Sequence, residues 1–231
     1  KKFFCFLDGG PNARVYPLII ALETRELLDD FLNIIETLDL RIYKVRGGDP
    51  RAILYNNTIS KIKEDLDTHT IRTNLIDFVN SYIPDPSFRN ILTGSFYPNP
   101  GIKYILWEFE KHRFPSFDEH NYTLYNAVQI EHIFPQHPRP SFPSYGFQNE
   151  DEYVANLNRI GNLCLLEEEI NKSKKTGNKE PPAKANEYLR SQILGTRELG
   201  HYIANHGFTK NDIEGRNREI IRFCLERWPV S

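Results

Sequence analysis

Apolar residues between Tyr16 and Leu38 recur three and four positions apart: Leu18, Ile19, Leu22, then Leu27, Leu28, Phe31, Ile34, Ile35 and Leu38. That spacing places them on one stripe of a helix. Gly47-Gly48-Asp49-Pro50 interrupts the pattern with a loop and opens the next helix. Helical stretches follow over 51–65 and 70–82. Pro84-Asp85-Pro86 separates them from a short helix around Arg89. Pro100-Gly101 then opens a helix that carries Trp107 and Phe109 and ends near His112. Pro115 breaks the chain, and the domain boundary is expected there. Residues 116–151 are rich in loop formers, with Pro135, Pro138, Pro140 and Pro143 in one long excursion. From Thr209 to Trp228 a terminal helix is expected, with Ile213, Ile220, Ile221, Cys224 and Leu225 on one stripe and Arg216, Arg218, Arg222 and Arg227 between them. Stripes of this kind are core faces. The pattern predicts a mainly α fold of the α+β class, with a helical scaffold over 1–115 and a second domain over 116–231.

Two short apolar runs in the second half depart from the helical period. The first is Gln129-Ile130-Glu131-His132-Ile133-Phe134-Pro135. Adjacent strand residues point to opposite faces, so Glu131 and His132 need a twisted or bent strand end to serve one site, and Pro135 closes the strand. Gly161 reads as a turn before a second strand over Asn162 to Leu166. Glu167, Glu168 and Glu169 then put acidic residues in the first turn of a helix, where the helix dipole favours them. Asn171 stands nine positions after Asn162, and Lys174 three after Asn171. The last two share one helix face. A carboxylate beside a histidine, followed by asparagines and lysines, suits phosphodiester hydrolysis. A neutral histidine titrates near operating pH and can take the proton of water. A hard cation needs only a few oxygen ligands and keeps several waters.

These residues and spacings resemble the HNH endonuclease signature, the ββα-metal or His-Me finger, over about 127–176. In that resemblance Glu131, where the common pattern has Asp, corresponds to the first metal ligand and Asn171 to the second. His132 corresponds to the general base, Asn162 to the asparagine that braces the loop and orients the histidine, and Lys174 to the phosphate contact. The stretch Asn156-Leu157-Asn158-Arg159-Ile160-Gly161-Asn162-Leu163-Cys164-Leu165-Leu166 is similar to one subfamily. This is the C-terminal nuclease domain of GmrSD-type modification-dependent restriction enzymes and Ssp-type phage defence proteins. Tyr188-Leu189-Arg190-Ser191, the closing Ile213-Glu214-Gly215-Arg216-Asn217-Arg218 to Trp228-Pro229, and the upstream Tyr16 to Leu22 with Leu40-Arg41 also fit it. The resemblance implies a divalent metal, Mg²⁺ foremost with Mn²⁺ as an alternative, and foreign or modified DNA as partner. Those relatives carry a preceding nucleotide-binding or sensor domain with a DGQQR-like motif. This chain has no such sequence, starts at Lys1 and contains no Met, so it is expected to be the C-terminal part of a longer protein.

Charge narrows the picture. The formal net charge is −2, which does not describe a strongly basic nucleic-acid binder. DNA contact therefore requires local charge: Lys172, Lys174, Lys175, Lys179 and Lys184 directly after Asn171, with Arg139, Arg159 and Arg190. The three cysteines, Cys5, Cys164 and Cys224, form no CxxC pair. They imply neither a disulfide framework nor a structural zinc, and a reducing cytoplasm is expected. No apolar run approaches the roughly 20 residues of a membrane span. His137 reads as a surface residue, and His201 and His206 fall near a loop around Gly207. Two functions from different classes follow: a metal-dependent DNA endonuclease or nickase acting in restriction or anti-phage defence, or a DNA-binding or protein-interaction module whose finger is inactive.

Overall fold

A computed structural model describes residues 14–62, 66–118, 121–137, 140–172 and 178–230. The chain forms two compact units. One comprises residues 1–91 and 224–231, the other residues 92–223. The boundary expected at Pro115 thus falls inside the second unit. Proline marks where a helix stops; it does not determine which core that helix joins.

The first unit is helical. α1 spans Tyr16–Glu23 and α2 spans Leu28–Leu38. The single stripe read from Tyr16 to Leu38 is therefore two helices, parted where Glu26 takes a positive φ of 58°. α2 buries Phe31, Ile34, Ile35 and Leu38 and runs on as a wider π-helical turn over Asp39–Arg46. Gly47, at φ 76°, ends it, a left-handed conformation that costs glycine little. α3 (Arg51–Leu54), a π-turn over Tyr55–Ile59 and α4 (Ser60–Ile62) follow. α5 (Thr68–Tyr82) starts on Asp67, whose side chain accepts the Thr70 amide at 2.9 Å. α6 covers Asp85–Thr93. Two buried charges of this unit, Arg41 and Glu36, are paired. Arg41 lies 2.7 Å from Asp85 and its guanidinium carbon sits 4.3 Å over the Phe88 ring. Glu36 accepts from Arg227 at 2.9 and 3.0 Å and from the Trp228 indole at 2.8 Å.

The second unit holds α7 (Ile102–Arg113), α8 (Tyr122–Ala127), β1 (Val128–His132), α9 (Glu150–Leu157), a 3₁₀ turn at Ile160–Asn162, β2 (Leu163–Glu167), α10 (Glu168–Asn171), α11 (Pro181–Tyr188), α12 (Leu194–His206) and most of α13 (Lys210–Arg227). The sheet of the described residues is one antiparallel pair, β1 against β2, with Glu131 opposite Cys164 and His132 opposite Leu163. The fold is therefore mainly α with a small hairpin, as the pattern predicts. Helices α8, α9, α11 and α12 were not legible as helices. Each is short or bears its apolar residues among charges, and tertiary packing supplies the stability that propensity does not. His201 and His206 lie within α12, which Gly207 closes at φ 78°.

The hairpin sits in a core of Ile133, Phe134, Phe147, Tyr153, Leu157, Cys164, Leu166, Tyr188, Ile203 and Phe208. Phe134 is its hub, with the rings of Tyr145, Phe147, Tyr153 and Phe208 at 5.3–5.9 Å. The long excursion between the strands is anchored there, since the Tyr153 hydroxyl donates to the Pro135 carbonyl at 2.6 Å.

Candidate active site

The turn entering β2 fixes the site. Gly161 lies so close to α13 that a Cβ would stand 2.8 Å from the Asn217 amide nitrogen. Only glycine permits that approach. Asn217 Oδ1 accepts the Gly161 amide at 3.2 Å, and Arg216 donates to the Gly161 and Leu163 carbonyls at 3.0 Å each. Gly161 thus does more than turn the chain: it docks the turn onto the terminal helix.

Asn162 is fully buried. Its Oδ1 accepts the Phe134 amide at 2.9 Å, and its Nδ2 donates to the carbonyls of Leu157 at 2.8 Å and Phe134 at 3.3 Å. Its own carbonyl accepts the Ile133 amide at 2.9 Å. One asparagine therefore pins the two residues that follow His132.

His132, at 8% exposure, ends β1. Its Nε2 is 3.2 Å from Asn158 Oδ1, and the Tyr97 ring stands edge-on at 4.6 Å between centroids. The Asn158 carbonyl accepts the amides of Phe96 and Tyr97 at 2.8 and 3.0 Å, so the same residue holds the Tyr97 loop beside the imidazole. Burial lowers the pKa of His132 below the ordinary histidine value. The Asn158 bond opposes that effect and the Lys184 charge adds to it. Asn158 and Tyr97 were not singled out from the sequence, although Asn158 lies in the Asn156–Leu166 stretch that carries the family resemblance.

Glu131 occupies the other face of the strand. It is 5% exposed, and its Oε1 accepts from the Lys184 ammonium at 2.6 Å and from the Tyr188 hydroxyl at 3.2 Å. The same ammonium donates to the His132 carbonyl at 2.6 Å. Burial raises the pKa of the Glu131 carboxyl, and Lys184 pulls it back down. Lys184 is itself fully buried. Its expected place in an exposed basic run is therefore corrected: an ammonium with two acceptors at 2.6 Å is part of the interior and cannot reach a phosphate backbone.

The flanking residues stand as follows. Glu167 ends β2 rather than opening a helix. Its buried carboxylate accepts from the Ser191 hydroxyl at 2.8 Å and the Gln192 amide at 2.5 Å. The Tyr188-Leu189-Arg190-Ser191 segment thus fastens the two strands at separate points, Tyr188 on β1 and Ser191 on β2. Asn171 is half-buried at the end of α10, which packs against both strands. Lys172 is exposed and paired with Glu168, Lys179 is exposed, and Arg190 pairs with Glu187 at 2.6 Å. Arg159 is half-buried and donates to Asn156 Oδ1 at 2.9 Å. Lys174, Lys175 and Arg139 lie outside the described residues.

The Glu131 oxygen faces an ammonium, and among the described residues no three His, Cys, Asp or Glu side chains are grouped to hold a metal. His132 and Asn162, by contrast, are built into one rigid corner of the hairpin.

His132 closes the first strand, Asn162 stands at the entry to the second, and α10 follows directly, a strand–strand–helix order. The chain belongs to the family of GmrSD restriction endonucleases, C-terminal domain, whose model matches residues 82–223, more than half of its length. Nuclease domains of this type generally use a divalent metal and act on DNA. A search of curated proteins finds no match to the chain. Among the described residues no helix is long and apolar enough to cross a membrane.

Proposed function

We propose that this chain hydrolyses DNA phosphodiester bonds as the effector of a restriction or anti-phage system, with His132 as general base. The observation that carries the reading is the setting of the imidazole. Nε2 faces Asn158 Oδ1 at 3.2 Å; in the tautomer that donates this bond, the lone pair is on Nδ1. Burial keeps the ring neutral to lower pH than an ordinary histidine. In the reaction Nδ1 takes a proton from water, the water oxygen bonds to phosphorus, the bond from phosphorus to the leaving oxygen breaks, and that oxygen takes a proton from solvent, to which the imidazolium later gives up its own. Asn162 holds the backbone after His132, and Asn158 with Tyr97 fixes the ring plane. Lys174 is proposed as a phosphate contact, with Lys172, Lys175, Lys179 and Arg159 adding attraction for the backbone. Asn171 is proposed as an oxygen donor to the divalent ion, Mg²⁺ or Mn²⁺. No step is assigned to that ion, because the Glu131 oxygen is already given to Lys184. The protein is proposed to work in the cytoplasm, where such DNA is met.

The test is incubation with supercoiled plasmid and Mg²⁺ or Mn²⁺, with and without EDTA. Relaxed or linear plasmid that EDTA suppresses is expected, and the ratio of the two products distinguishes nicking from double-strand cutting. If the plasmid stays supercoiled at every metal concentration while His132→Ala binds DNA as well as the parent, the chain is a binding module.

A further inference from the structure

Buried lysines are rare unless paired, and Lys184 is held by partners that bear directly on the candidate site. Its ammonium lies 2.6 Å from Glu131 Oε1 and 2.6 Å from the carbonyl of His132, and Tyr188 approaches the same carboxylate oxygen at 3.2 Å. Lys184 and Tyr188 are both fully buried on α11, one turn apart. The resemblance that makes Glu131 a metal ligand requires its carboxylate to face a cation of the solvent. The structure gives it a cation of the protein. A metal would have to displace a well-bonded ammonium, and that ammonium would then lie buried without its counter-charge.

We propose that Glu131 and Lys184 form a positioning pair: the ammonium takes the place at this carboxylate that a metal ion would fill, and by gripping the His132 carbonyl it sets the backbone from which the imidazole projects. Three bonds, to Lys184, to Asn158 and through Asn162, then fix His132 from the main-chain, ring and following-residue sides. The corollary is that Glu131 is not a ligand of the catalytic ion, and that the donors for it lie elsewhere around the finger. The inference rests on the reading of His132 as the base.

The experiment uses the whole chain and three variants. Glu131→Gln keeps an oxygen acceptor for Lys184 and Tyr188 and removes the charge a metal would need. The Mn²⁺ concentration that gives half-maximal plasmid cleavage is expected within about twofold of the parent. An increase of about tenfold or more, the scale on which even supporting residues of metal sites act, would overturn the proposal. Lys184→Met is expected to lower kcat at least about tenfold with little change in KM for DNA, and parental kcat would overturn it. Should Lys184→Met not fold, the double variant Glu131→Leu/Lys184→Met removes the pair together and is read for the same kcat loss. Should the parent cleave nothing, the nuclease reading fails by itself and the pair is judged by nitrogen NMR of the His132 ring. Ring signals that move in the Lys184 variant support it, and unmoved signals overturn it.

Discussion

The two faces of the first strand hold their polar groups under different conditions. On one face Glu131 meets Lys184 and Tyr188, all 5% exposed or less, and the carboxylate and ammonium answer each other's charge. On the other, His132 at 8% meets an amide oxygen and the edge of a tyrosine ring, and Asn158 and Tyr97 are only half-buried. The first face is closed by charges of the chain itself. The second sets the imidazole against neutral, half-buried partners. Adjacent residues of one motif therefore need not share one role. Alternation of strand side chains sets Glu131 against Lys184 and Tyr188, and His132 against Asn158 and Tyr97. Substitutions on the open face should move activity, and those on the closed face should move stability first.

The largest effect is expected at His132. Replacement by Ala should cost about 10²–10⁴-fold in cleavage rate while the far-ultraviolet circular dichroism and melting temperature stay near those of the parent. Parental cleavage by that variant would erase the contrast between the faces. On the closed face, Lys184→Met strands a buried carboxylate and should destabilise the fold by about 3–5 kcal/mol in denaturant titration. The Glu131→Leu/Lys184→Met double variant should regain most of that loss, since an apolar pair can replace a buried ion pair at little net cost. Equal stability of single and double variants would show that the pair carries no mutual charge.

The pH profile sharpens the comparison. The folded-state pKa of His132 is depressed, so the base form persists below the usual histidine value of about 6.5. The acid limb of kcat/KM should therefore fall below pH ~6.5. The same depression makes the stability contribution of His132 present above pH ~6.5 and lost as pH falls through the folded-state value. The Asn158 bond raises the pKa, so Asn158→Ala should move the limb further toward acid. A limb above pH ~7 would contradict the buried, neutral ring. The smallest effects belong to Lys172 and Lys179. Each substitution to Gln should reduce the salt slope of DNA binding by about one unit, with binding weakened most at low salt and hardly at high salt.

Much of this arrangement is legible in the sequence. The Gln129–Pro135 run does contain a strand end, although β1 stops at His132, before the proline, where Asn162 takes the amides of Ile133 and Phe134; Asn162 follows a glycine that marks the entry to the second strand. The terminal helix is equally local in origin, its stripe recurring at the helical period from Ile213 to Cys224. The assignments that fail are those that depend on distant neighbours. Lys184 reads as one more lysine of a basic run, yet the partner that buries it lies 53 positions away. Glu167 reads as a helix-opening acid, yet Ser191 and Gln192, 24 and 25 positions on, claim its carboxylate. A boundary at Pro115 misses that residues 224–231 belong with the first unit.

Local sequence accounts for the periods of the longer helices, the two strands and the residues able to do acid–base chemistry, because those follow from interactions within a few residues of each position. Which charges are sheltered and which face solvent emerges only on folding. Burial of a charge is favourable only when a specific opposite charge or donor arrives from elsewhere in the chain, and no local pattern records that arrival. Glu131 and His132 stand side by side in the sequence, and it is α11, folding back from 52 and 53 residues downstream, that gives the Glu131 carboxylate its counter-charge and holds the His132 carbonyl.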